Sequence, residues 1–458
     1  MLHKKKTKLY GWSRNNYSDS FFYETSSLDE IDEIFKFAEL NNKSISFRGG
    51  GRSYGDNTLN QNNIVIRFFA KEKILDFDQN NGIINVHGSC QLIDLLKFSI
   101  PKGWCFFVAP ASQFITISGS ISNNVHGKNC FARGYFGDYI EEIKFYSYDR
   151  GIFKCSKKNH PNLFYSIISG VGCLGIIISA KIKLRKIQTF EIKTQIVQSL
   201  NIDNTLKIME SKKKDYEFNI GSLNVTRFNK GIISGKIYSS NFKKNNNLKI
   251  TQHVPSKYIL LINYILLINN LPLADRIIEF FLSIITTKKM SNNILHQNYF
   301  QMNFLGDINL PLYNFMFRKG FIEYQAIFET RFYVSALIEI QNLLKSFNYS
   351  SYMSSMKAYK PSDPNYNLGL RLSGHCITLD IQYLATNYFN NFIRKLNEIT
   401  IKYQGQVYLG KSPVINHDEF IQMYPNYKKL LNTKKLLDPK SIINSNMFSR
   451  LFNYKENL

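Results

Sequence analysis

Acidic residues are in short supply: among 458 residues, 34 Asp and Glu face 58 Lys and Arg, a formal net charge of +24. Such a surface favours anionic partners, whether nucleic acid, phospholipid headgroups or a phosphorylated substrate. An aromatic-basic ribonucleoprotein signature and zinc-finger spacing are both missing, so nucleic acid ranks low and no metal site is expected. The six cysteines (Cys90, Cys105, Cys130, Cys155, Cys173 and Cys376) form no C-x-x-C pair. Scattered in this way they read as free, mostly buried thiols of a reducing compartment. An uninterrupted apolar run is lacking too. The stretch 258–287 is broken by Asn263, Asn269, Asn270, Pro272, Asp275, Arg276 and Glu279. A spanning helix needs about 20 nearly continuous apolar residues, so no transmembrane segment is expected. Two short helices broken at Leu271 and Pro272 remain, either core or an amphipathic surface resting on a bilayer, which Lys288 and Lys289 suit. The basic start, Met1 to Lys6, leads into no apolar run and is not read as a secretory signal. No internal repeat is evident.

Glycine is used locally and with purpose. Ile45 and Phe47 alternate into Gly49, Gly50 and Gly51, flanked by Arg48 and Arg52 and followed by Ser53, Tyr54, Gly55, Asp56 and Asn57. Three glycines weaken any strand or helix. They suit a turn whose inward N–H groups hold an anion, typically a diphosphate, with fork-shaped guanidinium donors beside it. A Gly-rich hairpin turn is the plainer alternative. A second small-residue segment runs from Val108 to Asn129. Thr116, Ser118, Gly119, Ser120 and Ser122 allow close approach and offer hydroxyls to a dinucleotide, and His126, Gly127 and Lys128 end it. A third, Gly170 to Ile178, matches G-x-G-x-x-G. It follows a helix-like stretch (162–168) and precedes a β-branched run, the reverse of the dinucleotide-binding order, so NAD is not expected.

The remaining chain reads as α+β. Periodicity predicts a helix over 27–42 with Ser27 as its cap, strands at Ile64 to Ile66 and Gly82 to Val86, and a helix from Cys90 to Phe98. From about 189 the texture shifts to a largely antiparallel lobe. Strands are expected at 231–238 and 320–332, helices at 334–346 and 386–402, and a solvated loop at 239–250.

Together these segments resemble the flavin-binding domain of the vanillyl-alcohol oxidase, or PCMH-type, superfamily. Within it the chain is similar to the branch of oxidases that act on a lipid-linked ribose. The resemblance runs through Gly11 to Arg14, Arg48 to Asn57, Val125 to Asn129, and Leu163 with Phe164 and Gly170 to Ile178. It resumes at Gly374 to Asp380, Tyr408 to Lys411, Met423 to Pro425, Asp438 with Pro439, and Asn446 to Leu451. It implies a two-lobed FAD-binding domain over 1–188, completed by about 405–458. A substrate domain would fill 189–404, with a mainly antiparallel sheet, flanking helices and the apolar insertion. Arg48 to Tyr54, Asp56 and Asn57 would cradle the FAD diphosphate. Pro110, Thr116, Ile117, Ser118, Gly119, Ser122 and Asn123 would line its second side, and Gly172, Gly175 and Ile177 its adenosine. The superfamily's covalent attachment sites hold Arg52, Ser53 and Ala109 to Ala111 here, so FAD is expected without a covalent link.

His126, Gly127 and Lys128 match the wall of the sugar pocket. Lys357, Tyr299 and Gln325 match further pocket residues, and Lys411 the lysine shared by flavin and substrate. Thr378 stands where the branch has cysteine, with Cys376 two residues earlier, and Ile220 stands where it tends to have Trp. Lys411 is the first candidate for contact with the reacting hydroxyl, with Tyr54 and His126 behind it. The implied activity is hydride transfer from the 2-hydroxyl carbon of a polyprenyl-phosphate-linked pentose, half of an epimerisation that a partner short-chain reductase completes. Peripheral contact with the inner face of the cell membrane and a cytoplasmic location accompany it. An aldonolactone or sugar-alcohol oxidase, or a flavin-free sugar- or lipid-binding protein on the same scaffold, are the alternatives.

Overall fold

A computed structural model describes residues 5–225, 235–248, 294–411 and 414–452. The apolar stretch 258–287 and residues 231–234 of one expected strand lie outside them. Strands β1 (Lys6–Tyr10), β2 (Tyr17–Thr25), β3 (Ile45–Phe47) and β4 (Ile64–Phe68) form a sheet in the order β1-β2-β4-β3, with β4 parallel to both neighbours. The helix Leu28–Leu40 covers this sheet with Ile31, Ile34, Phe35 and Ala38. Ser27 Oγ accepts the Glu30 amide at 3.3 Å, which fixes where the helix starts and is worth about 1 kcal/mol.

A second, antiparallel sheet joins β5 (Ile74–Asp78), β6 (Ile83–His87), β8 (Ile140–Ser147), β9 (Gly151–Cys155) and β10 (Ile176–Lys183) in the order β5-β6-β10-β8-β9. The short β7 (Trp104–Cys105) pairs with β11 (Arg185–Lys186). The third glycine segment connects the helix Pro161–Ile167 to β10, so its order is strand-last, as the sequence indicates.

The largest sheet contains β12 (Glu191–Ser199), β13 (Phe218–Leu223), β14 (Gly235–Phe242), β15 (Ile294–Asn298), β16 (Phe321–Glu329), β17 (Ser354–Tyr359), β18 (Gly374–Gln382) and β19 (Gln406–Val407). Its order is β15-β12-β14-β13-β17-β18-β16-β19, antiparallel throughout. Helices Ile202–Lys212, Thr330–Ser346 and Asn387–Lys402 pack on it. Alternate residues on the other side, such as Ile220, Tyr238, Lys357, Thr378 and Asp380, line a cavity facing the glycine loops.

Two element boundaries differ from the sequence reading. The expected loop 239–250 begins as strand, because β14 runs to Phe242 and buries Ser239 and Ser240 against β13. Beyond it, Lys243, Asn245 and Asn247 converge on the Glu191 carboxylate. The expected strand 320–332 stops at Glu329, and the following helix starts at Thr330 rather than 334.

The end of the chain returns to the first sheet. Ile45 N donates to Ile442 O and Asn444 N to Ile45 O, each at 2.8 Å. The buried Lys434 Nζ binds Asp438 Oδ2 at 2.7 Å, Ile443 O at 2.6 Å and Cys173 O at 3.1 Å, tying this return to the third glycine segment. Removing one member of a buried pair strands its partner, so Lys434→Ala is expected to cost about 3–5 kcal/mol. Urea unfolding checks this; an unchanged midpoint would show that the tie is dispensable.

Candidate active site

A cavity of about 880 Å³ lies between the glycine loops and the large sheet. At one end β3 gives out after Phe47 and the chain turns through Gly49 to Gly51, with Gly51 at φ 65°. A Cβ on Gly49 would sit 2.3 Å from Thr116 Oγ1, and one on Gly50 would sit 2.5 Å from Phe114 O. These glycines let the turn close on the second loop, Gly49 against the Thr116 side chain and Gly50 against backbone, in addition to leaving room for a ligand. Thr116 is itself fixed, since its Oγ1 accepts the Gly119 amide at 3.2 Å and caps the short helix Ile117–Ser122.

Arg48 donates to Tyr10 O at 2.8 Å and Thr58 Oγ1 at 3.0 Å. Burial, then Arg67, lower its pKa to about 10, so it stays cationic. Arg52 lies over the Phe114 ring at 4.8 Å. Asn57 Nδ2 reaches Asn123 Oδ1 at 3.4 Å and Leu409 O at 3.5 Å, whereas its buried Oδ1 meets no protein donor. Val171 and Gly172, at φ 50° and 77°, close this end with Gly175 and Ile177.

The opposite end is dense in ionisable groups. Lys411 Nζ lies 2.6 Å from Glu323 Oε1 and 4.0 Å from the Tyr54 ring centre. Burial, then the Glu323 and Asp380 charges, raise the Tyr54 phenol well above its ordinary pKa, so it is neutral and able to donate. His126 has ring nitrogens 3.0 Å from Gln325 Nε2 and 3.1 Å from the Tyr359 hydroxyl. Burial, then Lys357 and Lys411, push its pKa well down, so the ring is neutral. Lys128 donates to Met302 O, and burial, then Lys357, lower it to about 7. Lys357 is likewise lowered, chiefly by burial.

Most residues singled out from the sequence stand on this cavity's wall: Arg48 to Tyr54, Asn57, Pro110, Thr116, Ser118, Gly119, Ser122, Asn123, His126 to Lys128, Gly172, Gly175, Ile177, Lys357, Thr378 and Lys411. Five do not. Asp56 turns away to bind Arg450, with oxygen–nitrogen distances of 2.8 and 3.0 Å, so it anchors the C-terminal segment instead of reaching a diphosphate. Ile117 faces the apolar core. Tyr299 is buried among Phe190, Phe242 and Phe304, leaving its neighbours Gln301, Met302 and Asn303 on the wall. Gln325 sits behind His126, and Cys376 packs with Cys130 and Tyr359 one strand step beyond Thr378. Sequence reasoning missed Glu323, Asp380, Tyr313 and Asp307. The available signal was a carboxylate inside an otherwise apolar strand: Glu323 among Phe321, Ile322 and Tyr324, Asp380 between Leu379 and Ile381. Asp307 accepts from Gln113 N at 2.7 Å and Ser112 Oγ at 3.1 Å, bracing the second loop.

The family model for an FAD binding domain matches residues 20–156. Over 460 aligned residues, 97% of both chains, the protein is 23% identical to decaprenylphosphoryl-beta-D-ribose oxidase of Mycolicibacterium smegmatis. It is 26% identical over 178 residues to D-arabinono-1,4-lactone oxidase of Candida glabrata, covering 38% of this chain and 33% of that protein. It is 22% identical over 185 residues to L-gulonolactone oxidase of Mus musculus, covering 40% and 42%. The matched region thus spans less than half the length of each of these two lactone oxidases.

FAD is the cofactor, and the wall fits it. The amides of a Cβ-free turn and two guanidiniums suit a diphosphate, and the orphaned Asn57 Oδ1 suits a ligand hydroxyl or N–H. Gly50→Ala is expected to lose FAD more completely than Gly49→Ala. Its new Cβ meets backbone, whereas the other meets a side-chain hydroxyl that can rotate at the cost of its cap. The ratio of flavin to protein absorbance measures this; equal retention would contradict it.

Proposed function

We propose that this protein, which carries a PCMH-type FAD-binding domain, oxidises the 2-hydroxyl of a polyprenyl-phosphate-linked pentose to a ketone, half of an epimerisation completed by a short-chain reductase. The observation that carries this reading is the pair Lys128 and Lys357. Both line the cavity, the Lys357 charge lowers the pKa of Lys128, and among the described residues neither has a carboxylate within ion-pair distance. Two half-buried, mutually repelling cations favour an anionic guest, and Lys binds phosphate as a point charge. Leu295, Leu305 and Met353 add an apolar margin that is 40%, 51% and 47% exposed, suited to a prenyl chain. Overall similarity to an enzyme whose name specifies decaprenylphosphoryl-ribose supports the same reading.

Bound FAD supplies the acceptor for the carbinol hydrogen, taken as hydride. The chain positions the sugar and handles charge and proton. Lys411, held by Glu323 and over the Tyr54 ring, would help hold the cofactor and would supply preorganised positive charge beside the sugar. His126, neutral and gripped by Gln325 and Tyr359 through both ring nitrogens, forms a rigid wall. The wall carries no cysteine among the described residues and His126 as its histidine, whose nitrogens are engaged; this supports noncovalent FAD. Among the described residues no helix is long and apolar enough to cross a membrane, so the proposed membrane contact is peripheral.

An aldonolactone or sugar-alcohol oxidase is the second reading, favoured by the two lactone oxidases above. Anaerobic bleaching of the flavin band near ~450 nm separates the two. A polyprenyl-phosphoryl pentose is expected to bleach it and free lactones or alditols are not; the reverse pattern would replace the proposal with the second reading. Lys411→Ala is expected to keep FAD and lose this bleaching, and unchanged reduction kinetics would remove Lys411 from the reaction. Because Lys128 holds its proton only below about 7, affinity for the phosphate-bearing sugar should be greatest below that pH. It should fall by up to about tenfold per unit above it, since phosphate binds the ammonium form. A titration flat through this range would exclude Lys128 as a phosphate ligand.

A further inference from the structure

Acidic side chains are rare in this protein, yet two are buried together in a basic cavity. Glu323 on β16 and Asp380 on β18 are direct cross-strand partners, so both leave the same face of the sheet, with Cβ atoms about 5 Å apart. They are 7% and 5% exposed, and both line the cavity. Of the two carboxylates, Lys411 ion-pairs with Glu323. Asp380 Oδ2 accepts the Tyr313 hydroxyl at 2.7 Å, while its buried Oδ1 has no hydrogen-bond partner. Two carboxylates at this spacing, with one of them ion-paired, do not both ionise readily.

We propose that Glu323 and Asp380 hold a single proton between them and form the acceptor for the substrate's hydroxyl proton, with Glu323 as base and Asp380 as its positioning acid. The proposal rests on the sugar-oxidising function above and adds a residue to it. Lys411 is an ammonium ion-paired with Glu323, and an ammonium has no lone pair with which to take a proton. In the step, the substrate O–H bond breaks and its proton passes to Glu323. The C–O double bond forms, and the carbinol C–H pair leaves as hydride to FAD, the oxidant. Both carboxyls are then neutral, and the pair loses one proton to solvent before the next turnover.

The surroundings agree. Burial, then Glu323, hold the Asp380 carboxyl well above the usual carboxylate range, and the opposing Tyr313 and Lys411 contributions are smaller. The other titratable groups around the pair are Tyr54, held neutral by burial and by these carboxylates, Tyr352 beside Tyr313, and Lys357, which feels Glu323.

Infrared titration of the FAD-loaded protein, with no sugar present, reads the shared proton directly. A carboxylic-acid carbonyl band is expected to persist at neutral pH. It should vanish in Asp380→Asn, and in Glu323→Gln it should titrate away at lower pH because the like-charged neighbour is gone. In anaerobic stopped-flow, Glu323→Gln is expected to slow sugar-driven flavin reduction by about 10²-fold or more with FAD content unchanged. Asp380→Asn, which cannot ionise, should abolish the alkaline limb of the wild-type rate profile. A neutral-pH band that is absent, or that survives Asp380→Asn, overturns the proposal; so does wild-type reduction by Glu323→Gln. If Glu323→Gln cannot hold FAD, the infrared comparison of wild type with Asp380→Asn decides alone. Failure of every sugar to reduce the wild type would refute the function above, and the infrared result would still judge the pair.

Discussion

Two loops meet in this protein across glycines that contribute no side chain of their own, and the site depends on that contact. Gly49 and Gly50 have no space for a Cβ because Thr116 and the Phe114 carbonyl occupy it. The contact sets the distance between the arginine-flanked turn and the Ser-rich second loop, and so the width of the slot between them. It also holds Thr116 where it caps its helix and leaves Arg48 anchored by Tyr10 and Thr58. A larger residue at either glycine would widen the slot before it touched any ligand. Glycine is used here for close backbone approach as much as for turning.

The other end of the cavity is governed by charge. A chain with many more basic than acidic residues places Lys128, Lys357 and Lys411 around one volume and answers them with two carboxylates on neighbouring strands. Among the described residues Lys411 alone of these three is ion-paired, so the cavity has a compensated floor and a cationic side without a carboxylate partner there. That asymmetry suits a guest carrying hydroxyls at one end and a phosphate at the other, and it is the reason we propose a phosphorylated sugar over a neutral lactone.

Much of this was legible in the sequence where the determinant is local. Apolar spacing and Ser27 define the helix Leu28–Leu40, and the order helix, glycine segment, strand ruled out a dinucleotide-type turn at Gly170 to Gly175. The glycine run announced its loop. What could not be read was decided at long range. Asp56 looked like part of the turn beside it, but its partner, Arg450, lies at the other end of the chain. Tyr299 looked like pocket lining and is instead claimed by an aromatic cluster drawn from three elements. Glu323 and Asp380 became a pair only through the register of β16 against β18. Polar residues 239–241 read as loop because their hydroxyls and amide are satisfied by neighbouring segments that sequence alone does not place.

The central claim is that the slot between the Gly49 and Thr116 loops holds FAD without a covalent bond and opens onto the lysine-lined pocket. Flavin-fluorescence titration of protein stripped of its cofactor by acid tests it most directly. The account predicts uptake of one FAD per chain, with uptake prevented when Gly50 is replaced by alanine. Failure of the stripped protein to rebind FAD, or equal binding by the Gly50→Ala chain, would contradict it.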